Sequence, residues 1–334
     1  MAKRRNLARR NPPRQRRRVK VWTASIAAIP KQLDRQFVTN AQRLGTLLRS
    51  EIWFLSHGHS QATPWESLDH EVFNRFVSQR SKLPVPETTA DGAMRSRMAL
   101  LIDSPGGFSV SAYRLAALLQ KQCGGFTAIV PRYAKSAATL LCCGANSIVL
   151  GQHAELGPLD VQIYDADTEE QWVSALDEVQ AVEALEQSAI DSAIRIMIYL
   201  RERTGKRINT LMPHALQFAA DVTKPLFDKI DSVRFSRQSR RLQEAQDYAE
   251  RLLRIKFSTL DAKAIARDLV RNYAIHTFVI DKAEAKQLGR RQQGGPVGLQ
   301  VDQRIVPAVE QLLDWFYENL PGKTIIGNIV EDSQ

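Results

Sequence analysis

Three short apolar runs, each followed closely by glycine or proline, constrain the fold of this chain more than any other feature. The runs cover residues 98–102, 126–130 and 147–150. The two segments between them, residues 109–122 and 134–143, have the length and composition of helices. Because strands that alternate with single helices pair in parallel through right-handed crossovers, this order predicts an α/β fold with a parallel sheet.

Longer helices are predicted in the second half of the chain. Apolar residues recur at spacings of three and four from Val179 to Leu200, which indicates one long helix over residues 172–200. Shorter helices are predicted over residues 209–220, 240–254, 260–272, 281–288 and 306–319. Residues 276–280 alternate in the manner of a strand.

The first 95 residues lack this strand-and-helix alternation. Helices are predicted over residues 31–57 and from Pro64 to Lys82, and an extended linker with prolines follows. The chain is therefore expected to have three parts. These are a disordered basic tail (1–20), a helical N-terminal arm with its linker (21–95), and a main domain with a helical C-terminal part (96–334).

The net charge of +10 belongs to the tail and not to the body of the protein. Ten of the 46 Lys and Arg residues lie among the first twenty residues, which contain no acid, and the rest of the chain has 36 basic and 36 acidic residues. Asn11-Pro12-Pro13 disfavours a helix, so the tail is interpreted as disordered. Its predicted partners are an acidic protein, a membrane surface or nucleic acid, and an effect on solubility alone is the alternative.

The three cysteines, Cys123, Cys142 and Cys143, predict neither a disulfide framework nor a metal site. Two of them are adjacent in a predicted core helix, so all three are interpreted as reduced structural residues, which is typical of the cytoplasm. No apolar segment of a signal peptide follows the basic tail. The sequence also has no run of about 18 apolar residues. We therefore expect a cytoplasmic protein without a membrane span, a metal or a cofactor.

Two turns at the carboxyl ends of neighbouring predicted strands carry residues suited to acyl transfer. Pro105-Gly106-Gly107 follows the first strand, and its two glycines permit backbone angles that leave N–H groups free. Ser136 follows the second strand, at or near the start of a helix of small residues, where free N–H groups favour negative charge. Alone, each motif is more simply a tight turn or a helix cap. Together they predict Ser136 as a nucleophile beside an oxyanion hole formed by the N–H groups of Gly107 and Ala137.

These motifs resemble the serine dehydrogenase proteinase family of the Clp/crotonase superfamily, a relative of signal peptide peptidase A. The resemblance rests on residues 102–107, 131–139 and 155–160, with further matches at 224–230, 248–253 and 276–280. It implies a ClpP/crotonase-like spiral of βα units, a homo-oligomer, and hydrolysis of peptide bonds without ATP in the same chain. It also implies the nucleophile and oxyanion donors named above. Despite the family's name, no Gly-x-Gly-x-x-Gly motif indicates a dehydrogenase.

The general base is the part of the site that the sequence leaves open. Gly157-Pro158 stands where the Clp resemblance implies a histidine. The resemblance to signal peptide peptidase A implies a lysine after the nucleophile, and burial lowers the pKa of such a lysine enough for it to act as a base. Lys224, in an apolar setting, is predicted as this base, which makes the site Ser/Lys-type. The alternatives are Lys206, Lys135 and His153.

Two further residues are predicted to support the site. His276 opens the late strand and could orient a catalytic group, with a core histidine as the alternative. Asp160 follows Gly157-Pro158 and is assigned the same supporting role, with a loop brace as the alternative.

Taken together, the residues predict a serine peptidase that acts on peptides or proteins. The unplaced base keeps open a second hypothesis, a non-enzymatic oligomeric scaffold. A third is crotonase-like chemistry on a thioester, which shares the oxyanion hole but lacks an obvious pair of catalytic carboxylates in this sequence.

Overall fold

The computed structural model describes residues 19–21, 35–57, 67–165, 171–273, 275–289, 298–299, 301–302, 307–312 and 325–331. The helices are α1 (Arg35–Leu48), α2 (His70–Ser78), α3 (Ser109–Cys123), α4 (Ala137–Cys143), α5 (Ala175–Thr204), α6 (Ile208–Phe227), α7 (Ser232–Leu253), α8 (Thr259–Arg271), α9 (Lys282–Ala285) and α10 (residues 307–312). The strands are β1 (Val19–Val21), β2 (Glu51–Ser56), β3 (Glu87–Thr88), β4 (Met94–Arg95), β5 (Met98–Asp103), β6 (Thr127–Val130), β7 (Tyr133–Ala134), β8 (Ser147–Leu150), β9 (Glu155–Leu156), β10 (Gln162–Asp165), β11 (Gln171–Ser174), β12 (Val301–Asp302) and β13 (Ile325–Glu331). Of the tail predicted over residues 1–20, all but the last two residues lie outside these ranges.

Within the described ranges, seven strands form one sheet in the order β1-β13-β2-β5-β6-β8-β12. The five strands from β2 to β12 are parallel, and β13 and β1 extend the sheet in antiparallel fashion. The predicted order of three strands and two helices is confirmed as β5, α3, β6, α4 and β8. The fold is thus mixed α/β with a mostly parallel sheet, as predicted.

Helices cover both faces of this sheet, so neighbouring residues of a strand enter different cores. Trp53 and Leu100 belong to the larger core, which includes buried side chains of α3, α4, α7 and α8. Phe54 and Leu101 belong to the smaller core with α1 and α10. Burial on both faces explains why the central strands are continuous apolar runs without alternation.

The helix predicted over residues 31–57 is wrong in its last part. Helix α1 ends at Leu48, Arg49 turns the chain with φ +50°, and residues 51–56 form β2. Residues 52–55 are four consecutive apolar residues that are all buried, and such a run is as typical of a central strand as of a helix. Strand β2 pairs with β5, so the predicted arm contributes a strand to the sheet of the predicted main domain.

Other element boundaries also differ from the prediction. Helix α6 runs to Phe227 and not to residue 220, and α7 begins at Ser232 and not at residue 240. Residues 171–174 form β11, and α5 begins only at Ala175, because the Ser174 hydroxyl accepts the N–H of Leu176 and caps the helix. Residues 133–134 form β7, which shortens the predicted helix of small residues to α4. Of the late strand predicted over 276–280, Ile280 makes a single bridge to Leu156. The second half of the helix predicted over 306–319 lies outside the described residues.

Candidate active site

The glycine turn after β5 directs one N–H group away from its neighbouring segment. Gly106 and Gly107 have φ values of +105° and +147°, which residues with a side chain rarely adopt. The Leu68 N–H donates to the Gly106 carbonyl at 2.7 Å, and the Phe108 N–H donates to the Leu68 carbonyl at 2.9 Å. These two bonds flank Gly107, so the Gly107 N–H lies on the opposite side of the chain from Leu68.

Ser136 caps α4 in a strained backbone conformation. Its φ and ψ are +49° and −121°, and with Arg49 it is one of two non-glycine residues of positive φ among the described residues. Backbone strain of this kind persists only where the surrounding structure enforces it, and it is common at functional sites. The Ala138 N–H donates to the Lys135 carbonyl at 2.9 Å, and the Leu140 N–H donates to the Ser136 carbonyl at 3.1 Å. The turn is thereby fixed to the start of the helix.

The two turns lie against each other. A β-carbon built on Gly106 would be 2.5 Å from the Lys135 carbonyl oxygen, 2.9 Å from Ser136 Cβ and 3.0 Å from the Ala137 nitrogen. The Ser104 N–H donates to the Tyr133 carbonyl at 3.1 Å, and the Lys135 N–H donates to the Ser104 carbonyl at 3.0 Å. The structure thus brings the segments of Gly107, Ser136 and Ala137 together, as the sequence predicts.

A partly buried ion pair connects the same two segments. Arg132 donates from Nε and Nη2 to the two carboxylate oxygens of Asp103, at 3.2 and 2.9 Å. Burial raises the pKa of Asp103, and the Arg132 guanidinium opposes this rise. No sequence motif predicts this pairing, although Asp103 is the polar residue that ends the apolar β5 run. The bidentate geometry holds the end of β5 against the loop that leads to Ser136.

Asp160 and His276 form a hydrogen-bonded pair. The Asp160 carboxylate is 3% exposed, accepts the Ser174 hydroxyl at 2.8 Å, and accepts a second bond from His276 Nδ1. A histidine whose Nδ1–H donates to a carboxylate has its Nε2 lone pair free to accept a proton. The pair flanks β9, since Leu156 bridges Ile280 and β9 pairs with β7, the strand just before Ser136.

Lys135 is held by other groups despite lying next to Ser136 in sequence. Its Nζ is 2.7 Å from a Glu155 carboxylate oxygen, and it donates to the carbonyls of Leu156 and Phe278 at 3.4 Å each. This lysine therefore links the Ser136 segment to β9 and to the segment that carries His276. Its Nζ is therefore engaged by Glu155 and by two carbonyls, which gives no support to Lys135 as the base.

The other predicted bases lie on the surface. Lys224 is exposed near the end of α6, Lys206 is exposed in the turn between α5 and α6, and His153 is exposed after β8. Among the described residues, no hydrogen bond or ion pair joins any of them to the Ser136 segment, and none joins the His276 side chain to Ser136. The role of Lys224 as the base stays a prediction.

His57 is a buried histidine beside the site that the sequence analysis missed. It follows β2, is 1% exposed, and its N–H donates to the Asp103 carbonyl at 2.8 Å. Burial lowers its pKa to about 4, against the opposing effects of the Ser67 backbone and the Asp69 carboxylate. The only signal in the sequence is its position directly after the apolar run of β2.

Cys123, Cys142 and Cys143 are buried and free, as predicted, and burial raises the pKa of each. Among the described residues, no three His, Cys, Asp or Glu side chains cluster closely enough to hold a metal ion. Within the same part of the chain, no helix is long and apolar enough to cross a membrane.

Comparison with known families agrees with this geometry. Residues 91–235, which include both turns, match a family described as ClpP-like SDH-type serine proteinase. The family is one of serine proteinases, and its ClpP likeness implies a Clp/crotonase fold, which the sheet and its helices fit.

Two similar proteins come from Methanocaldococcus jannaschii. The chain is 26% identical over 192 residues to the uncharacterized protein MJ0137, which covers 57% of this chain and 51% of that protein. It is 34% identical over 64 residues to the uncharacterized protein MJ1495, which covers 19% of this chain and 22% of that protein. The chain therefore spans about half of the first relative's length and less of the second's.

Proposed function

We propose that this chain is a serine peptidase that hydrolyses peptide bonds without ATP, with Ser136 as its nucleophile. The observation that carries the proposal is the strained Ser136 at the start of α4, packed against the Gly106-Gly107 turn. A reactive hydroxyl beside free N–H groups is the arrangement that acyl transfer requires. The family that residues 91–235 match supports the same chemistry.

In the proposed reaction, Ser136 Oγ attacks the carbonyl carbon of the scissile peptide bond while its proton passes to a base. The carbonyl oxygen becomes an oxyanion that accepts hydrogen bonds from the N–H groups of Gly107 and Ala137. The intermediate then collapses, the base returns the proton to the leaving amine, and an acyl-enzyme remains. A water molecule, deprotonated by the same base, releases the acyl group and restores Ser136.

We assign the role of base to His276 ahead of Lys224. The pairing of His276 Nδ1 with the buried Asp160 carboxylate supports this assignment, because it fixes the ring and stabilises the imidazolium that forms. Lys224 is exposed near the end of α6, a position that gives no support to a lysine base.

The experiment that tests the nucleophile is labelling with a fluorophosphonate probe, followed by intact-mass measurement. We expect one adduct on the wild type and none on Ser136→Ala, because only an activated serine reacts. Ser188→Ala, on the exposed surface of α5, is the matched control and should keep the adduct. An adduct that persists in folded Ser136→Ala, or its absence from the folded wild type, would contradict the proposal and favour the scaffold hypothesis.

A further inference from the structure

The base assigned above, His276, lies on a short segment outside the seven-stranded sheet. We call residues 275–280 the base segment. His276 Nδ1 pairs with the carboxylate of Asp160, which is in the loop after β9. The main chains of Leu156 and Ile280 exchange hydrogen bonds of 2.9 and 3.1 Å, which join the base segment to β9 itself. Neither contact reaches the turn that carries the nucleophile, so neither alone sets the distance between base and nucleophile.

Lys135 connects the base segment directly to that turn. It precedes Ser136 by one residue, and its Nζ donates to the Phe278 carbonyl at 3.4 Å. Phe278 follows His276 by two residues. Among the described residues, this is the one hydrogen bond between residues 133–137 and the base segment. One lysine therefore joins the neighbour of the nucleophile to a near neighbour of the base.

The ammonium group of Lys135 is also held by β9. It lies 2.7 Å from a Glu155 carboxylate oxygen, and it donates to the Leu156 carbonyl at 3.4 Å. The Leu156 carbonyl also accepts the N–H of Ile280. An ammonium group has three N–H donors, and Glu155, Leu156 and Phe278 supply one acceptor for each. Lys135 Nζ thus lies where the nucleophile turn, β9 and the base segment meet.

The rest of the Lys135 residue is fixed along its length. Its side chain is 17% exposed. A β-carbon built on Gly157 would be 2.6 Å from Lys135 Cδ, so the aliphatic stem packs directly on the main chain of Gly157. The Lys135 N–H donates to the Ser104 carbonyl at 3.0 Å, and its carbonyl accepts the Ala138 N–H at 2.9 Å. Because the stem and the main chain are both confined, the position of the turn determines the position of the ammonium group.

We propose that Lys135 is a positioning residue that sets the distance of the His276 imidazole from Ser136 Oγ, an inference that rests on the function proposed above. A general base acts only within hydrogen-bond reach of the hydroxyl. Asp160 fixes the tautomer and the rotation of the ring, but it leaves open how far the base segment lies from Ser136. Lys135 supplies the contact between the two segments. A displacement of about 1 Å in such an alignment lowers the rate by about 100-fold.

The rate constant for labelling of Ser136 by the fluorophosphonate probe, followed by intact mass over time, tests this role. We expect Lys135→Met to lower it by about 10- to 100-fold, because the base segment loses its bond to the turn while the stem stays packed on Gly157. Lys135→Arg keeps N–H donors at the end of the side chain and should restore most of the rate. Lys263→Met is the matched control, since Lys263 is exposed on α8, and it should label at the wild-type rate.

A double-mutant cycle separates the positioning of the base from a general effect of the lysine charge. In a chain that already carries His276→Ala, Lys135→Met should lower the residual rate by less than about 2-fold, because no imidazole is left to position. A lysine that acted on the oxyanion, on the probe or on the stability of the turn would lower the rate by the same factor in both backgrounds. Higher probe concentration and longer reaction times make the residual rate of His276→Ala measurable.

Urea denaturation shows whether each variant keeps the native fold. If Lys135→Met does not fold, Lys135→Gln replaces it with the same expected loss, because its amide nitrogen is one atom closer to the main chain and does not reach the Phe278 carbonyl. A folded variant that labels at the wild-type rate, or an equal loss in both backgrounds, would overturn the role of Lys135 and leave the proposed function intact. An unlabelled wild type, or a His276→Ala variant that labels at the wild-type rate, would instead overturn the proposed nucleophile or the proposed base.

Discussion

At the scale of single residues, mutagenesis can distinguish His276 from Lys224 as the general base. With a substrate that reports acyl transfer, we expect His276→Ala to lower the rate by about 100-fold or more, since a positioned general base contributes that much. Asp160→Asn should lower it as well, because the ring loses the carboxylate that holds Nδ1–H and stabilises the imidazolium. The measurement is kcat over a range of pH.

Lys224→Ala serves as the comparison for these two variants. It should keep the wild-type rate and pH profile, because Lys224 is exposed near the end of α6. The opposite pattern, an inactive Lys224→Ala beside an active His276→Ala, would return the role of base to lysine and remove the assignment made from the Asp160 pair.

Gly106 is the second residue whose replacement gives a defined result. In Gly106→Ala the new β-carbon would lie 2.5 Å from the Lys135 carbonyl oxygen and would force the two turns apart. We expect loss of more than about 100-fold in kcat, as for the removal of an oxyanion donor. Chemical denaturation should show a loss of stability beyond about 1 kcal/mol, because alanine is also strained at positive φ.

Gly92→Ala separates the two causes. Gly92 has φ +82° and nothing within 4 Å of the position of a β-carbon, so this variant has the backbone strain without the collision. It should lose stability and keep activity. If Gly106→Ala behaved in the same way as Gly92→Ala, close packing of the turns would be irrelevant to the site.

The residues of the site could be predicted to different extents, for a physical reason. Gly107, Ser136 and Ala137 follow from local sequence, because a glycine turn and a helix start at the ends of adjacent parallel strands must lie at one edge of the sheet. The bond between Asp160 and His276 joins residues 116 positions apart. No local pattern records such a contact, since it depends on how the chain after α8 returns to β9.

At the scale of elements, the connection between β7 and α4 depends on one buried hydroxyl. Thr139 donates to the Ala134 carbonyl at 2.6 Å and accepts the N–H of Gly157 at 3.0 Å, so it joins the strand, the helix and the loop after β9. We expect Thr139→Val to lower the free energy of unfolding by about 1–3 kcal/mol, because both buried hydrogen bonds of the hydroxyl are lost, while the Gly157 N–H still donates to the Ala134 carbonyl at 3.2 Å. Urea denaturation measures the free energy of unfolding, and both this quantity and kcat should fall.

Thr223→Val is the matched control for this substitution. The Thr223 hydroxyl is also buried, but it donates to the Ala219 carbonyl within α6 and joins no other element. Its loss should change the free energy of unfolding little and leave kcat unchanged. Equal effects of the two substitutions would show that the hydroxyl of Thr139 has no special role in positioning Ser136.

Helices and strands could be predicted where the apolar pattern was typical of only one of the two. The runs of β5, β6 and β8 are bounded by turn residues, and their strands were predicted within one or two residues. Residues 52–55 form an equally apolar run, but no glycine or proline stands between the end of α1 and this run, so periodicity alone extended the helix. Tertiary contacts determine that residues 51–56 form a strand, since β5 and β13 supply the hydrogen bonds that a strand needs on each side.

At the scale of the whole molecule, the order of the strands in the sheet could not be predicted from the sequence. Strand β13 lies between β1 and β2, so an early and a late segment of the sequence pair at one edge of the sheet. Such pairings are decided by which edges remain after the parallel strands have formed. They leave no trace in the composition or spacing of β13 itself.

The burial of His57 links the stability of the whole fold to pH. Its pKa is about 4 in the folded protein, lowered from 6.5, first by burial. The unfolded chain therefore binds a proton more readily than the folded one, and acid favours unfolding. Above pH 6.5 His57 is neutral in both states and has no effect. The loss begins below that pH and is complete below about pH 4, where it amounts to about 3 kcal/mol.

His57→Gln removes this titration and should flatten part of the stability profile. Urea denaturation at pH 7, 5 and 4 would measure it, with the difference between the variant and the wild type as the quantity of interest. Asp103, whose pKa is raised by burial, has the opposite pH dependence but is present in both proteins, so it cancels as long as its surroundings are unchanged. His153→Gln is the control, because His153 is exposed and should leave the profile as it is. If the wild type and His57→Gln lost stability in parallel from pH 7 to pH 4, protonation of His57 would not be the cause of the loss of stability in acid.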